Sequence, residues 1–287
     1  MTRKHRSKWF FLRLVLFSGL GIFGCVVFLA FCTPLLLTDI RPPETRVSKE
    51  AREWYQRAIR KHGKLQRWKD IQRARVDMTA TYPGMLMRKI ITPFPANEAR
   101  LQWDYIPSSR WPLSIDASYN ALPAESYRVE KEKSYRIVNG KRESEPNRFR
   151  FFVASIRHLL DFVFEMRSAD VVQFAGFAKW KQQDYARVYM TWGDPEPSFK
   201  MDQYVLWINK RTHLMDRFDC TGRGVLPVIR NPFIVCRVEF EGYRKVNGMQ
   251  VPSKITVYKA GTQEVVHGYQ IHSASYTFEK TLSQRKQ

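Results

Sequence analysis

"YVLWINKRTHLMDRF", Tyr204 to Phe218, sets Tyr204, Leu206 and Ile208 on one face of an extended run and Val205 and Trp207 on the other. Asn209-Lys210-Arg211-Thr212 then turns the chain into a second run carrying Leu214, Met215 and Phe218. The pattern predicts a β-hairpin that is apolar on both faces. A strand pair with one face in water shows polar residues at alternate positions, so both faces here need cover. The hairpin is expected to meet a helix or an internal cavity with its second face.

The surrounding sequence keeps the same period of two. "YARVYMTW" precedes the hairpin, and "CRVEFEGY", "PSKITVYK" and "VVHGYQIHSASYTF" follow it, with short turns that include Asn247-Gly248 and Ala260-Gly261. Such spacing predicts an antiparallel meander. Cys236, Val238 and Phe240 alternate with Arg237, Glu239 and Glu241, which predicts one wet face for that strand. Nearer the N-terminus "VDMTATY", "MLMRKIITPF" and "ARLQWDYI" are also extended, and "YRIVNGKRE" carries a turn at Asn139-Gly140. The Pro-rich stretches "IPSSRWPLS" and "NALPAES" read as punctuation between strands.

Two segments switch to helical spacing. In "SKEAREWYQRAIRKHGKLQRWKDI", Ser48 is a candidate N-cap and Gly63 a candidate C-cap, with Ala51, Trp54, Tyr55, Ala58 and Ile59 on one face. His62 reads as a last-turn residue favoured by the helix dipole. In "EPNRFRFFVASIRHLLDFVFEMR", Phe149, Phe152, Ile156, Leu159, Leu160 and Val163 recur every three or four residues, with Phe151 and Phe162 beside them and Pro146 suited to a first turn. That arc exceeds the roughly 100° stripe of a surface helix. The segment is either a plain core helix or a helix lying across the mouth of a curved sheet.

The N-terminus bears on compartment. Arg3, Lys4, Arg6, Lys8 and Arg13 precede an uncharged run of 24 residues, Leu14 to Leu37, which as a helix spans about 36 Å against roughly 30 Å of hydrocarbon. The positive-inside rule then leaves residues 1–13 as a cytoplasmic basic tail, makes 14–37 a signal anchor and sends the remainder outward. A cleaved signal peptide competes with this reading, but the run exceeds an ordinary h-region and Phe28-Leu29-Ala30 is a poor cleavage site. Acylation at Cys25 also competes, though Phe23 fits such a box badly. Residues 38–50, with Pro42-Pro43, form a stiff linker, 51–280 a globular domain and 281–287 a second basic tail. The expected location is a bacterial inner membrane, single-pass, with the C-terminal domain in the periplasm.

Cys25 and Cys32 fall within the apolar run, whereas Cys220 and Cys236 lie near the end of one predicted strand and the start of the next. In an oxidising compartment these two are expected to form a disulfide. With 48 Lys and Arg against 27 Asp and Glu, the chain carries a net charge of +21. Such a field attracts anions. Nucleic acid is an improbable partner outside the cytoplasm, since the cations are dispersed and no stacking module is evident. Anionic headgroups or an acidic envelope polymer suit the field better.

No catalytic signature is present. The sequence lacks a GxSxG elbow, an HExxH pair, a P-loop and a GxGxxG fingerprint. His267 and His272, five apart in a predicted strand, point to opposite faces and disfavour shared metal ligation. Asp194 and Glu196 flank Pro195 in "WGDPEP", read as a loop. The chain is expected to be no enzyme and to need no metal or cofactor.

The order of elements resembles the LolA/LolB-like superfamily of bacterial envelope proteins. The resemblance rests on "AIRKHGKLQRWKDIQRARVDMT", on "DQYVLWINKRTHLMDRF" and on "VEFEGYRKVNGMQVPSKITVY", and covers roughly residues 50 to 278. It implies an α+β fold, a curved antiparallel sheet or incomplete β-barrel wrapped around a helical lid, with a hydrophobic cavity for the acyl chains of a lipid or lipoprotein. The residues expected to line that cavity are Tyr204, Leu206, Ile208, Phe240, Phe152, Leu159 and Val163. The competing expectation is a non-catalytic assembly module docking an acidic protein or polymer.

Overall fold

The computed structural model describes residues 46–84, 92–107, 112–120, 122–130, 133–144, 148–193, 201–221, 235–259 and 261–278. The expected anchor 14–37, both basic tails, most of the linker and the Asp194-Pro195-Glu196 loop lie outside the described residues. No described helix is long and apolar enough to cross a membrane.

Helix α1 spans Lys49–His62, starting within the expected linker. Ser48 caps it, its hydroxyl accepting the Ala51 N–H at 3.1 Å, and Gly63 ends it at φ 135°. Residues 46–48 are tied to the sheet as well, through a parallel bridge between Val47 and Val172. A short helix α2, Leu65–Lys69, follows.

Strands β1 (Ile71–Thr81), β2 (Glu98–Tyr105), β3 (Pro112–Ser118), β4 (Glu125–Glu130), β5 (Lys133–Val138) and β6 (Lys141–Ser144) precede helix α3, Arg148–Glu165. After a 3₁₀ turn at Met166–Ser168 come β7 (Val171–Trp180), β8 (Gln183–Thr191), β9 (Gln203–Asn209), β10 (Met215–Thr221), β11 (Val235–Glu241), β12 (Arg244–Val246), β13 (Met249–Val251), β14 (Lys254–Lys259) and β15 (Val265–Phe278). Thirteen of these make one antiparallel sheet in the order β6-β5-β4-β3-β2-β1-β15-β14-β11-β10-β9-β8-β7. The long ladder of β1 on β15, from Ile71 opposite Phe278 to Thr81 opposite Gly268, joins the two halves. Edge strands β6 and β7 do not pair with each other, so the sheet stays open. The expected curved antiparallel sheet is found, and it does not close into a barrel.

The curvature follows from what α3 touches. Phe152 packs on Trp103 of β2, and ten residues later Phe162 packs on Phe218 of β10. Those strands are five places apart in the sheet, about 24 Å if flat, whereas the helix advances only about 15 Å between the two rings. The sheet curls toward the helix to meet both.

β2 shows the period of two most clearly. Ala99, Leu101, Trp103 and Tyr105 are buried while Arg100 and Gln102 are exposed. Asn139-Gly140 and Asn247-Gly248 sit at positive φ in two-residue turns, as their sequence implies. The second of these, joining β12 to β13, docks on α2, where Arg67 Nε donates to the Asn247 carbonyl at 2.8 Å.

Tyr204, Leu206 and Ile208 face the main core. Val205 turns the other way into a small cluster with Val171 and Tyr189, flanked by Ala175 and Trp207. Trp207 is roofed by Arg217, 4.2 Å above its ring, and its indole N–H donates to Asp219 at 2.8 Å. The expectation that the second face meets a helix or cavity is thus corrected: among the described residues it is covered by neighbouring strand residues and stacked arginine. The wet face of β11 needs correcting too. Glu239 is buried, held by Lys181 and Arg237.

Candidate functional site

All seven residues expected to line a cavity are buried in one core. Tyr204, Leu206 and Ile208 come from β9, Phe240 from β11, and Phe152, Leu159 and Val163 from α3. The aromatic members pack in two sets of rings within that core. Phe162 stacks on Phe218, Phe218 lies 5.8 Å from Phe240, Phe162 lies 5.4 Å from Tyr204, and Phe152 meets Phe94 edge-on at 4.8 Å. In this arrangement the seven fill the space between helix and sheet, and none of them lines the cleft described next.

That cleft, about 690 Å³, opens where α3 ends. Trp68 and Lys69 from α2, Pro107 after β2, Arg157, His158 and Glu165 from α3, Met166, Arg167 and Ser168 from the 3₁₀ turn, and Trp192 after β8 form its wall. Trp68 stacks on Phe164 at 5.5 Å, which anchors α2 to the end of α3. The Arg167 guanidinium lies 4.9 Å above the Trp68 ring and donates to the Phe164 carbonyl at 2.9 Å. Across the cleft the Trp192 indole N–H donates to Ser168 Oγ at 3.3 Å.

Glu165 organises the α3 side. Its Oε1 accepts from Arg157 Nε at 2.8 Å, and its Oε2 lies 3.0 Å from His158 Nδ1. Burial alone would raise its pKa, but His158 and Arg157 hold it below the ordinary glutamate value. His158 Nε2 is buried with no hydrogen-bond partner. One turn earlier Asp161 is enclosed beneath the cleft, where burial, reinforced by the charge of Glu165, lifts its pKa to about 7. Tyr105 donates to its Oδ1 at 3.3 Å. The Trp68 indole N–H comes close enough to pull that pKa down somewhat, yet lies outside hydrogen-bond geometry, and Oδ2 is unpartnered.

The sequence did not single out this cleft. A signal was present: Arg157, Asp161 and Glu165 recur at four-residue intervals, and His158 lies seven before Glu165, so they form a polar stripe along a greasy helix. The other walls come from segments distant in the chain. Two further histidines differ from expectation or agree with it in detail. His62 is buried, and its Nε2 accepts the Met215 N–H at 3.1 Å, so it serves as a buried acceptor rather than only a last-turn cation. His267 is enclosed while His272 is exposed and bonded to Thr79, on opposite faces as expected.

Cys220 and Cys236 are direct partners in the β10–β11 ladder, yet both are free thiols. The expected disulfide is not found. Adjacency here is produced by strand pairing, Cys220 lying opposite Cys236 in the ladder. The neighbouring Cys236 sulfur, with burial, raises the Cys220 pKa, while Cys220 lowers that of Cys236 against the opposing effect of burial.

No protein-family model and no curated protein matches the chain. Solved structures do. It is similar to the LolA superfamily protein NE2245 from Nitrosomonas europaea, at 10% identity and a TM-score of 0.45, over 82% of this chain and 96% of that one. It is also similar to a DUF1329 family protein from Desulfovibrio piger, at 11% identity and a TM-score of 0.44, over 82% and 96%.

Proposed function

We propose that the protein is a non-catalytic, inner-membrane-anchored envelope protein that binds acyl chains of a lipid or lipoprotein between α3 and the curved sheet. One observation carries this reading: the 18-residue helix α3 packs its apolar side chains, beside those of α1, into the concave apolar face of a sheet that curls around it. Across that boundary Tyr105 of β2 donates to Asp161 at 3.3 Å, and Tyr55 of α1 donates to the Val163 carbonyl at 2.8 Å. Outward movement of α3 would exchange aromatic contacts for acyl contacts of similar apolar character. The anchor at 14–37 would hold the domain at the periplasmic surface of the bilayer.

The test is lipid analysis of the full chain, purified in a mild uncharged detergent and examined by native mass spectrometry. Co-purifying mass that extracts as lipid is expected. Leu159→Asp should abolish it, because an unpaired charge is strongly disfavoured in an apolar site, while cooperative melting verifies that the variant folds. A wild-type chain that stays lipid-free and takes up no added acyl chain overturns the reading. The close aromatic packing then favours the second reading, a module docking an acidic protein or polymer, whose binding should weaken steeply with salt.

A further inference from the structure

The cleft at the end of α3 has a chemistry that acyl chains do not require. Its wall gathers Lys69, Arg157, Arg167 and His158 against one carboxylate, Glu165, between the indoles of Trp68 and Trp192. Glu165 is already engaged by Arg157 and His158. Arg167 has a neutral carbonyl and an aromatic face as its neighbours, and neither cancels its charge. Neither Arg167 nor Lys69 is in an ion pair among the described residues. Stacking on Trp68 also fixes the guanidinium in place, which reduces the entropy lost when it binds an anion.

Asp161 weakens the positive field less than an ordinary aspartate would, because burial favours its neutral form, and Asp170 near Trp192 accepts the Gly193 N–H at 3.0 Å. His158 Nε2 offers a buried polar position without a partner. A cleft of about 690 Å³ lies within the roughly 300–1,000 Å³ range of small-molecule sites. Met166 lines it and is itself part of the core under α3, so apolar contact runs from the cleft into the helix–sheet interior.

We propose that this cleft binds the phosphate of an anionic lipid headgroup, with Arg167 and Lys69 supplying the charge and Trp68 and Trp192 flanking the group. The inference deepens the acyl-chain reading and rests on it for the source of the phosphate. Guanidinium and ammonium contacts to phosphate are charge-assisted and stronger than neutral ones.

Calorimetric titration of the full chain in uncharged detergent tests it, with three probes: dihexanoyl phosphatidylglycerol, dihexanoylglycerol without phosphate, and inorganic phosphate. The phosphatidylglycerol is expected to bind tightest, to weaken with salt, and to lose about tenfold or more in affinity with either Arg167→Gln or Lys69→Gln. Dihexanoylglycerol should be insensitive to both substitutions. Binding of inorganic phosphate alone, lost in both variants, upholds the anion site while removing its lipid source and with it the acyl-chain reading. Equal binding of both lipids to wild type and to folded variants overturns the anion site and leaves acyl binding standing. No response to either phosphate-bearing probe overturns it as well.

Discussion

The ring of Phe162 on α3 lies face to face on that of Phe218 on β10, with centroids 3.8 Å apart and planes 12° from parallel. No third group fits between them, so this pair ties helix directly to sheet. Phe162→Ala should cost about 3–5 kcal/mol, from lost burial together with the void left behind. Denaturant unfolding followed by tryptophan fluorescence measures the loss. If acyl chains enter along this boundary, the same variant should take up a fluorescent fatty acid more readily than wild type at temperatures where both are folded. A change below about 1 kcal/mol would mean that the helix is held elsewhere.

Asp161 sets a pH dependence of definite sign. Its pKa in the folded chain is raised to about 7 from an ordinary value of 3.8, so between these values the folded state holds a proton that the unfolded state has released. Stability from this group therefore falls as pH rises through that window. Asp161→Asn keeps an acceptor for Tyr105 and removes the titration. Its stability relative to wild type should grow from pH 4 to pH 7 and level off above. A difference that is flat with pH would show that Asp161 ionises freely.

His62 acts in the opposite direction. Burial lowers its pKa from 6.5 to about 3, so below pH 6.5 the unfolded chain binds a proton that the folded chain refuses. Its contribution is complete above that pH and declines as acid is added, by at most about 1.4 kcal/mol per pH unit. His62→Gln can still accept the Met215 N–H and should flatten the wild-type slope between pH 6.5 and 4. Urea unfolding at several pH values provides the comparison.

Much of the fold was legible because local rules and tertiary environment agree. Ser48, the alternation from Ala99 to Tyr105, and the Asn-Gly turns at 139 and 247 each have one physical role, and the structure places them in it. β7 was missed for reasons visible in its residues. Its first three positions are all buried, which erases the alternation, and Gly176 at φ 80° lies in a bulge between Phe174 and Phe177. β3 begins at Pro112 and was read as punctuation. The seven apolar residues all fall in the main core, but Leu, Ile and Phe pack a core and line a cavity with the same side chains. The basic cleft depends on α2, α3 and Trp192 converging from distant parts of the chain, and no local pattern encodes that.

Cys220 and Cys236 supply a chemical prediction. Both are half-buried, and the Cys220 thiol is held protonated by the neighbouring Cys236 sulfur and by burial. The thiolate is the reactive form, so Cys220 should resist iodoacetamide at neutral pH in the native chain and alkylate once the chain is denatured without reductant. Peptide mapping by mass spectrometry distinguishes the states. Recovery of a linked peptide pair containing both cysteines would contradict the free thiols seen here.

The orientation of the chain is open to direct measurement. Five basic residues before an uncharged run of 24, Leu14 to Leu37, favour a cytoplasmic N-terminus under the positive-inside rule. A reporter active only in the periplasm, fused after Gln287, should therefore be active, and a cytoplasmic reporter at the same point silent. Substituting Arg3, Lys4, Arg6, Lys8 and Arg13 together with Gln should lower the periplasmic signal, since the flank and not the apolar length sets the orientation. Activity of the cytoplasmic reporter in the unaltered chain would reverse the topology. The C-terminal domain would then face the other leaflet, and a periplasmic acidic polymer would be removed as a partner.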